Sequence, residues 1–526
     1  MKHSLAQSKK GKSFAFLLLS FVFLGTAQSV VSQTKSPVLQ YVVSMPDPEN
    51  HYFHVELYCS SWQEETIDFK MPNWMPGYYQ LMHYSKMVEN FTAKVNNKNI
   101  AVKKLNENSW QIKTPKNKPF TLSYDVKADK QFVANSYLDA SHAYIIPNSL
   151  FVYIDGHINT SVSVKIEGIK KDFKIATGLE PIAGKTNEFT APDFDILYDC
   201  PLLIGDLEEL PSFKVNGIQH RFIGYKIGDF DKVKFMDNLK KVVESAVAII
   251  GDIPYKQYTF IGIGSGQGGI EHLNNTTVSF DGSDLHKPEA MNRMMSFLAH
   301  EYFHHYNVKR IRPFELGPFD YDKGSKTNLL WVSEGLSVYY EYLIVKRASL
   351  ISEQTLFQNL ESAINAFENS PGRSYQSLTQ ASFETWSDGP FGKQGENAAK
   401  SISYYEKGPA VGLVLDFAIR KATQNQKSLD DVMRLLYWKY YKKLQRGFTD
   451  AEFQESCEKI SGCSLNSIFE YVYTTKPIDY NNYLKYAGLQ LNEKLDTVSN
   501  SRKFSFQILE SANDNQRKIL RSWLEQ

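Results

Sequence analysis

Residues 300–313 read HEYFHHYNVKRIRP, and the first five of these residues match the pattern HExxH. On a helix, residues four apart lie on the same face, so the imidazoles of His300 and His304 can converge on one metal ion. Glu301 then projects beside that metal, where it can accept a proton from a water molecule. The alternative is a helix with two surface histidines, because the neighbouring His305 shows that histidine is enriched locally. The motif favours a metal-dependent catalytic site.

A third metal ligand is expected thirty residues after His304, within the apolar segment LLWVSEGLSVYYEYLIV of residues 329–345. An unpaired carboxylate among Leu, Trp, Val and Tyr side chains is unfavourable to bury. Two histidines and one glutamate, with an open fourth position, form a known catalytic zinc set. Glu334 is therefore the predicted ligand. Its alternative is a glutamate on the helix surface, which is how we interpret Glu341.

The segment GQGGIEH at residues 266–272 follows a predicted strand. Glycines at a strand edge, such as Gly268 and Gly269, let a peptide backbone approach closely. The carboxylate of Glu271 could then hold the free amino terminus of a substrate, which would place the cut one residue from the end. A phosphate-binding loop is disfavoured because no GK[ST] follows the glycines.

Two segments near these motifs are less specific. A tyrosine of YYEKG (404–408) could stabilise the oxyanion of a tetrahedral intermediate, but with 31 tyrosines in the chain the default for any one is a core or surface position. The basic residues Lys309, Arg310 and Arg312 follow the HExxH helix. They are expected to form a solvated helix end or internal ion pairs, and binding of a substrate carboxylate is the alternative.

The composition is typical of a folded, multidomain protein. The 526 residues include 59 Lys+Arg against 58 Asp+Glu, and 42% of them are hydrophobic. This length predicts roughly two to four domains. A nucleic-acid-binding protein is excluded because its basic footprint is missing, and intrinsic disorder is excluded by an aromatic content of 13%.

The first 27 residues are predicted to be a signal peptide. A basic head containing four lysines precedes the apolar run 14–24, and small residues follow at 25–27. The run is shorter than the about 20 residues that a transmembrane helix needs, although an uncleaved anchor is the alternative. We therefore expect an exported protein (periplasmic or secreted) with no stable membrane anchor.

The rest of the chain predicts an α+β protein. Short runs with period-two alternation at 36–210 indicate an amino-terminal all-β, sandwich-like domain. The pattern becomes mostly helical at 215–485, and 486–526 form a short carboxyl-terminal segment. Three helices are predicted in the second region: Asp231–Ile250 stopped by Gly251, one capped by Asp284 with Pro288 in its first turn, and Asn328–Ala348.

The four cysteines are expected to be structural. An exported protein permits disulfides, but four cysteines in so long a chain do not form a disulfide framework. Cys457 and Cys463 are near enough in sequence to pair across a helix-to-loop corner. Cys59 and Cys200 are distant from them and from each other.

The motifs together resemble the glycyl-aminopeptidase family of HExxH gluzincins (metallopeptidase family sixty-one). Besides the two helices already quoted, MPNWMPGYY (71–79) is similar to the family's Trp-x-Pro-Gly-x-Tyr segment and YDCPLLIGD (198–206) to its domain junction. GGIEH (268–272) and YYEKGPAVGLVLDFAIR (404–420) resemble its catalytic domain. The resemblance covers about residues 36–490, which is most of the mature chain.

The resemblance implies a thermolysin-like catalytic domain behind the β domain. It implies one Zn²⁺ per chain on His300, His304 and Glu334, with Glu301 as general base. It places the oxyanion-stabilising tyrosine at Tyr405 rather than Tyr404 and the amino-terminus anchor at Glu271. The implied activity is release of small first residues, Gly or Ala, from peptides.

Two departures from the family pattern stand out. Members usually continue into a PDZ domain, whereas about forty residues follow position 489 here, enough only for a PDZ remnant. Many gluzincins place an Asp four residues after the third ligand to orient a histidine, and that position is Val338 here.

Two other functions are compatible with the motifs: a zinc endopeptidase, if Glu271 does not face the cleft, and a non-catalytic peptide-binding protein with a structural zinc. The intact Glu301 argues against the second of these.

Overall fold

The computed structural model describes residues 39–392, 395–497 and 501–525, so the predicted signal peptide lies outside the described residues. Up to residue 205 the described chain is built mainly of strands. They are β1 (Leu39–Ser44), β2 (Tyr52–Cys59), β3 (Thr66–Lys70), β4 (Val88–Val95), β5 (Lys98–Ile100), β6 (Val102–Asn106), β7 (Ser109–Lys113), β8 (Phe120–Lys127), β9 (Tyr137–Leu138), β10 (His142–Ile145), β11 (Tyr153–Ile154), β12 (Val162–Glu167), β13 (Lys174–Thr177), β14 (Glu180–Pro181), β15 (Glu188–Ala191) and β16 (Leu202–Gly205). Two short helices, α1 (Pro147–Leu150) and α2 (Phe194–Tyr198), interrupt them.

These strands form three sheets whose apolar faces share one core. The largest has the order β14-β15-β12-β1-β2-β8-β4-β5, and two four-stranded sheets have the orders β13-β16-β10-β9 and β11-β3-β7-β6. Strand β8 alternates buried and half-buried residues along its length, as the period of two requires. Leu57, Phe69 and Ile204, one from each sheet, belong to the same buried cluster. The predicted sandwich-like, β-rich amino-terminal part is confirmed.

A mixed sheet leads into the helical part of the chain. Its strands are β17 (Leu207–Glu209), β18 (Phe213–Val215), β19 (Ile218–Tyr225), β20 (Gln257–Gly262), β21 (Gly269–Glu271) and β22 (Asn275–Val278). The order is β17-β19-β20-β22-β21, with β18 also on β19. Strand β21 pairs only with β22 in this sheet, so it is an edge strand.

The carboxyl-terminal half is mainly helical, as predicted. Its helices are α3 (Lys232–Ile250), α4 (Pro288–Phe303), α5 (Leu336–Arg347), α6 (Glu353–Asn369), α7 (Leu378–Asp388), α8 (Tyr404–Ala422), α9 (Leu429–Leu436), α10 (Asp450–Ser461), α11 (Asn466–Tyr473) and α12 (Tyr480–Leu484), with π-helical segments at Trp331–Gly335 and Tyr437–Leu444. In the described residues, no helix is long and apolar enough to cross a membrane.

The ends of two helices test the predicted boundaries. Helix α3 begins after Asp231, whose carboxylate accepts from the backbone N–H of Lys234, and it ends at Gly251 with φ +83°, as predicted. Helix α4 begins at Pro288, so the predicted cap at Asp284 was wrong. Asp284 instead accepts a hydrogen bond from the Lys287 ammonium at 2.7 Å. Proline suits the first helical position because its missing N–H has no partner there.

The last described residues form a hairpin and a helix that dock on the helical part. Strands β23 (Leu489–Asp496) and β24 (Ser501–Ile508) pair in antiparallel register, and α13 (Asp514–Glu525) follows. Trp523 of α13 is fully buried, and its indole N–H donates to the Tyr339 hydroxyl at 2.8 Å. This buried contact ties the end of the chain to α5.

All four cysteines are free, so Cys457 and Cys463 form no disulfide although their separation in the sequence would allow one. Cys457 lies on the buried face of α10, whereas Cys463 follows the helix end at Gly462 and is exposed. Cys59, Cys200 and Cys457 are buried, and burial raises the pKa of the Cys59 thiol to about 11.

Candidate active site

The HExxH histidines lie together at the carboxyl end of α4. His300 is in the last turn of the helix, and His304 follows as its cap. Their Nε2 atoms are 2.8 Å apart, as a four-residue spacing on one helical face predicts. Both imidazoles are buried. The helix therefore presents two converging nitrogen atoms at one point.

Glu334 meets these nitrogens from the π-helical turn Trp331–Gly335, where it is 3% exposed. Its Oε2 lies 3.6 Å from His300 Nε2 and 3.3 Å from His304 Nε2. Burial alone raises the pKa of Glu334, but the two imidazoles outweigh it and hold that pKa well below its usual range. π-Helical turns are frequent at functional sites, and this one carries the carboxylate that sequence spacing singled out.

The three donors suit a zinc ion. Their ligand atoms all lie within 4.8 Å of one another, and within the described residues this is the one such group of three His, Cys, Asp or Glu side chains. Tetrahedral zinc with nitrogen and oxygen ligands at about 2.1 Å separates those ligands by roughly 3.4 Å. The observed separations of 2.8, 3.3 and 3.6 Å bracket that value. Two imidazoles and one carboxylate also leave a fourth position open.

The far nitrogens of both histidines lie close to oxygen atoms of other residues. His300 Nδ1 lies 2.9 Å from Glu341 Oε2, and His304 Nδ1 lies 2.8 Å from the backbone oxygen of Asn307. Such partners fix the ring orientation of metal-binding histidines. The interpretation of Glu341 as a helix-surface residue was wrong, because its side chain is only 16% exposed and faces His300.

Position 338 holds a buried valine, so the Asp that the family resemblance led us to look for there has no counterpart at this position. Glu341 lies seven residues after Glu334, and residues seven apart share one face of a helix. That spacing was the signal in the sequence that would have identified Glu341 as a partner of the site.

Glu301 is buried beside the two histidines, and its Oε2 has no hydrogen-bond partner within the described chain. Burial raises the pKa of Glu301 to about 7, against the lowering effect of His300 and His304. A carboxylate with a pKa near neutrality suits proton transfer. The backbone of Gly269 passes directly over it, and a Cβ built on Gly269 would lie 2.5 Å from the Glu301 carboxyl carbon.

Glu271 ends the edge strand β21 and is 4% exposed. Its charge is among those that raise the pKa values of Glu301 and His304, so it faces the same space. The loop at residues 71–80 closes over its other side, because a Cβ on Gly77 would lie 2.9 Å from Glu271 Oε2. Gly268, with φ +87°, precedes the strand and makes the bend onto it.

A buried ion pair supports the strand that carries Glu271. Asp199 and Lys309 form it at 2.5 Å, and both side chains are less than 10% exposed. Asp199 also accepts from the backbone N–H of Leu273 at 2.7 Å and lies 3.3 Å from His272 Nδ1. Positive neighbours, Lys309 first among them, outweigh burial and lower the pKa of Asp199 to about 2. Asp199 lies in the segment 198–206, and the sequence motifs predicted no role for it.

Two of the three basic residues after the HExxH helix, Lys309 and Arg310, are used internally, in agreement with the first of the two interpretations. Lys309 pairs with Asp199 as described. Arg310 is 5% exposed and donates to the backbone oxygens of Leu273 and His305, at 2.9 and 2.7 Å. These contacts hold the turn after α4 against the β21–β22 connection.

Tyr405 reaches the site from the first turn of α8. Its hydroxyl donates to Glu334 Oε2 at 3.0 Å, whereas the hydroxyl of Tyr404 lies 3.0 Å from Thr385 Oγ1. Burial raises the pKa of Tyr405 well above its usual value, so the hydroxyl keeps its proton and can donate a hydrogen bond. Of the two neighbouring tyrosines, the structure places Tyr405 beside the three candidate ligands.

Two family models match this chain. The Peptidase M61 N-terminal domain matches residues 40–206, and M61 glycyl aminopeptidase matches residues 293–411. The second range contains the HExxH motif, Glu334 and Tyr405. No curated protein matches the chain in sequence.

Solved structures share the fold. An aminopeptidase N family protein from Idiomarina loihiensis is 27% identical with a TM-score of 0.80, over 87% of this chain and 79% of that chain. A glutamate-to-alanine variant of the M1 zinc metallopeptidase from Deinococcus radiodurans, bound to a Tyr-Ser-Ala substrate, is 12% identical with a TM-score of 0.52, over 84% and 94%. Yeast LTA4 hydrolase in complex with bestatin is 14% identical with a TM-score of 0.52, over 84% and 68%.

Proposed function

Since the chain belongs to the M61 glycyl aminopeptidase family and is a zinc-dependent metallopeptidase, we propose that it is an aminopeptidase that releases small first residues, Gly or Ala, from peptides. The resemblance drawn from the sequence motifs is confirmed at the level of the family. One Zn²⁺ per chain would be held by His300, His304 and Glu334. The preference for Gly or Ala rests on the family alone.

One observation carries the choice of an aminopeptidase over an endopeptidase. The carboxylate of Glu271 is buried at the end of the edge strand, and loop 71–80 leaves no room beyond it for even a Cβ on Gly77. A peptide lying along β21 would therefore reach a closed, negatively charged end. A free α-ammonium group suits that end, whereas a continuing chain would need both space and a neutral surface.

The chain's own residues supply the remaining chemistry. A zinc ion held here would act as a Lewis acid on the scissile carbonyl and make a water molecule more acidic. Glu301 accepts the proton of the attacking water and returns it to the leaving amine. The hydroxyl of Tyr405 donates to the oxyanion that develops on the carbonyl oxygen. Glu271 binds the substrate ammonium by charge-assisted hydrogen bonds.

The test compares free and N-acetylated glycine anilides with wild type and Glu271→Ala. Wild type is expected to cleave the free amine and to cleave the acetylated compound poorly. Removal of the carboxylate is expected to weaken transition-state binding of the free amine by roughly 2–5 kcal/mol in kcat/KM if the pair is desolvated. Glu289→Ala, an exposed position in the first turn of α4, is the matched control and should behave as wild type.

Each alternative function predicts a different result. Wild type that cleaves the acetylated anilide as fast as the free one is an endopeptidase, not an aminopeptidase. A preparation that binds zinc but cleaves neither compound would fit the non-catalytic peptide-binding protein. Normal activity of Glu271→Ala on the free amine would show that another group binds the substrate amine. The assignment as an exopeptidase would then still hold.

Export is part of the proposal. It is supported by the basic head, the short apolar run and the small residues at 25–27. Amino-terminal sequencing of the mature protein from its native host should find a chain that begins near residue 28. A mature protein that still begins at residue 1, in the soluble cell interior, would contradict export.

A further inference from the structure

The free edge of β21 offers its backbone to a peptide. The backbone N–H of Ser279, just after β22, donates to the backbone oxygen of Gly268 at 2.9 Å. Because hydrogen-bonded pairs alternate along an antiparallel ladder, the N–H and C=O groups of Gly269 point away from β22. A peptide can pair with such an edge. Since loop 71–80 closes the edge at Glu271, a substrate whose amine lies there has to continue along the strand in the opposite direction.

A cavity of about 230 Å³ lies in that direction, beside the chain that precedes β21. Two walls of the candidate site lead to it. On one side Gly266, two residues before Gly268, lines the cavity. On the other side the cavity is lined by Phe132, whose ring packs edge-on against Tyr78 of loop 71–80 at 5.3 Å. The cavity therefore continues the groove that begins at the closed end of the site.

Several polar side chains around the cavity are hydrogen-bonded to one another. The Tyr137 hydroxyl donates to Asp139 Oδ2 at 3.0 Å, and the Tyr225 hydroxyl donates to Ser141 Oγ at 2.8 Å. The His142 ring stacks on the Tyr225 ring, with centroids 4.0 Å apart. What remains for a ligand is therefore chiefly aromatic surface. Pockets for whole drug-sized ligands measure about 300–1,000 Å³, so this smaller cavity suits a single apolar side chain.

The position of a bound peptide along the groove follows from Glu301. The Glu301 carboxylate lies against Gly269, so the bond that is cut should lie opposite Gly269. Gly266 is three residues away, which is at most about 10 Å in an extended chain. The same distance in an extended peptide reaches the second or third residue after the cut. Side chains alternate between opposite sides of an extended chain, so only one of these two residues can place its side chain in the cavity.

We propose that this cavity binds a large apolar side chain, preferably an aromatic one, of the second or third residue after the cut. The inference rests on the proposed aminopeptidase function and deepens it, because it names a substrate class. That class is peptides of at least three or four residues with an apolar residue at this position. Through Phe132 and its neighbours, the β-rich part of the chain contributes to the choice of substrate.

The test measures the initial rate of glycine release from the peptides Gly-Ala-Phe-Ala, Gly-Ala-Ala-Phe and, as reference, Gly-Ala-Ala-Ala. All are amidated at the carboxyl terminus, so that the ammonium group of Lys226, which also lines the cavity, has no carboxylate to bind. The proteins are zinc-loaded wild type, Phe132→Ala and the control Phe173→Ala. Phe173 is another half-buried phenylalanine of the β-rich part, and it packs against the core between the sheets. Cleavage of glycine anilide, which ends before the cavity, and the melting temperature are measured on the same preparations.

Wild type should prefer one of the two Phe peptides to the reference by about 10–100-fold in kcat/KM, the effect expected when most of a phenylalanine side chain is buried. The other Phe peptide should stay within about threefold of the reference, because its side chain points away from the cavity. Phe132→Ala should lose about tenfold of this preference, since one aromatic wall is missing. Its kcat/KM for glycine anilide should remain within about threefold of wild type, because that substrate does not reach the cavity. Phe173→Ala should keep the full preference.

Similar rates of wild type on all three peptides would overturn the proposal, whatever the variants do. An unchanged preference in folded Phe132→Ala would also overturn it, because the side chain would then bind elsewhere. If Phe132→Ala does not fold, Ile263→Ala takes its place, since Ile263 is another half-buried residue that lines the cavity. A wild type that cleaves neither the peptides nor glycine anilide would refute the proposed aminopeptidase function itself, which is a separate result.

Discussion

Replacing Gly269 by Ala should disable Glu301 without touching the metal-binding residues. A Cβ at Gly269 would lie 2.5 Å from the carboxyl carbon of Glu301 and 2.6 and 2.9 Å from its two oxygens. The backbone of Gly269 lies outside the positive-φ region, so alanine is allowed by conformation and only the contact is new. The glutamate has to move, because the strand is fixed by its pairing to β22.

The size of the effect follows from these distances. Ordinary van der Waals contact needs about 3.5 Å or more between carbon atoms, so the carboxylate must retreat by about 1 Å. A misplacement of that size can lower the rate roughly 100-fold. Full loss of a general base lowers it roughly 10²–10⁴-fold, which sets the upper limit. We therefore expect kcat of Gly269→Ala to fall about 100-fold with zinc content unchanged.

The assay is steady-state cleavage of a glycine anilide, with zinc content measured on the same preparations. Gly266→Ala is the matched control: it adds the same methyl group in the same loop, and its Cβ would meet only the Ser279 side chain, at 2.9 Å from Oγ. The control should stay within a few-fold of wild type. If Gly269→Ala keeps kcat within about threefold of wild type, Glu301 either tolerates the displacement or is not the base, and the reasoning fails.

Three further predictions concern single residues. Glu301→Gln should retain about one zinc per chain by elemental analysis while turnover falls roughly 10²–10⁴-fold, and near-normal turnover would refute Glu301 as base. Glu341→Ala should weaken zinc binding about 10–100-fold in competition with a chelator because His300 loses its partner. Ser296→Ala, which removes only the other contact of Glu341, should not. Burial lowers the pKa of Lys407 in the folded protein to about 8. Below pH 8 the buried ammonium group therefore destabilises the folded state to its full extent. The destabilisation decreases as the pH rises from 8 towards about 10.4, the pKa of a lysine in the unfolded chain. Lys407→Met should therefore raise the free energy of unfolding by about 1–3 kcal/mol near pH 7, measured by urea titration, and a gain that does not shrink between pH 8 and 10 would contradict this.

The parts of the fold that the sequence predicted are those governed by local periodicity. The alternating runs before residue 206 became strands because every second side chain enters a shared core, and α3 ends at Gly251 because only the left-handed conformation closes it there. The convergence of His300 and His304 depends on helical spacing alone. Glu334 was predictable because a lone carboxylate in an apolar helix needs a charged partner.

The parts that were missed depend on contacts between distant segments. From the sequence alone, Glu341 is interpreted as a surface glutamate. Only the packing of α5 on α4 shows that its side chain lies beside His300. Asp199 has no motif of its own, and its role follows from an ion pair with a residue more than a hundred positions away. Whether Cys457 and Cys463 pair was left open for the same reason, since six positions of separation in the sequence do not determine how the two thiols are placed in space.

The glycines at this site leave room for different neighbouring groups. The sequence suggested that Gly268 and Gly269 leave room for a substrate backbone, and the structure adds that the missing side chain of Gly269 leaves room for Glu301. The missing side chain of Gly77 likewise leaves room for Glu271, and that of Gly335 leaves room for the backbone of Gly408. At Gly269 and Gly77 a carboxylate lies where a Cβ would be, and at Gly335 the backbone of α8 does. Close backbone approach therefore leaves room for Glu271 and Glu301 beside the turn that carries Glu334, and a side chain larger than hydrogen at Gly77 or Gly269 would displace one of these two carboxylates.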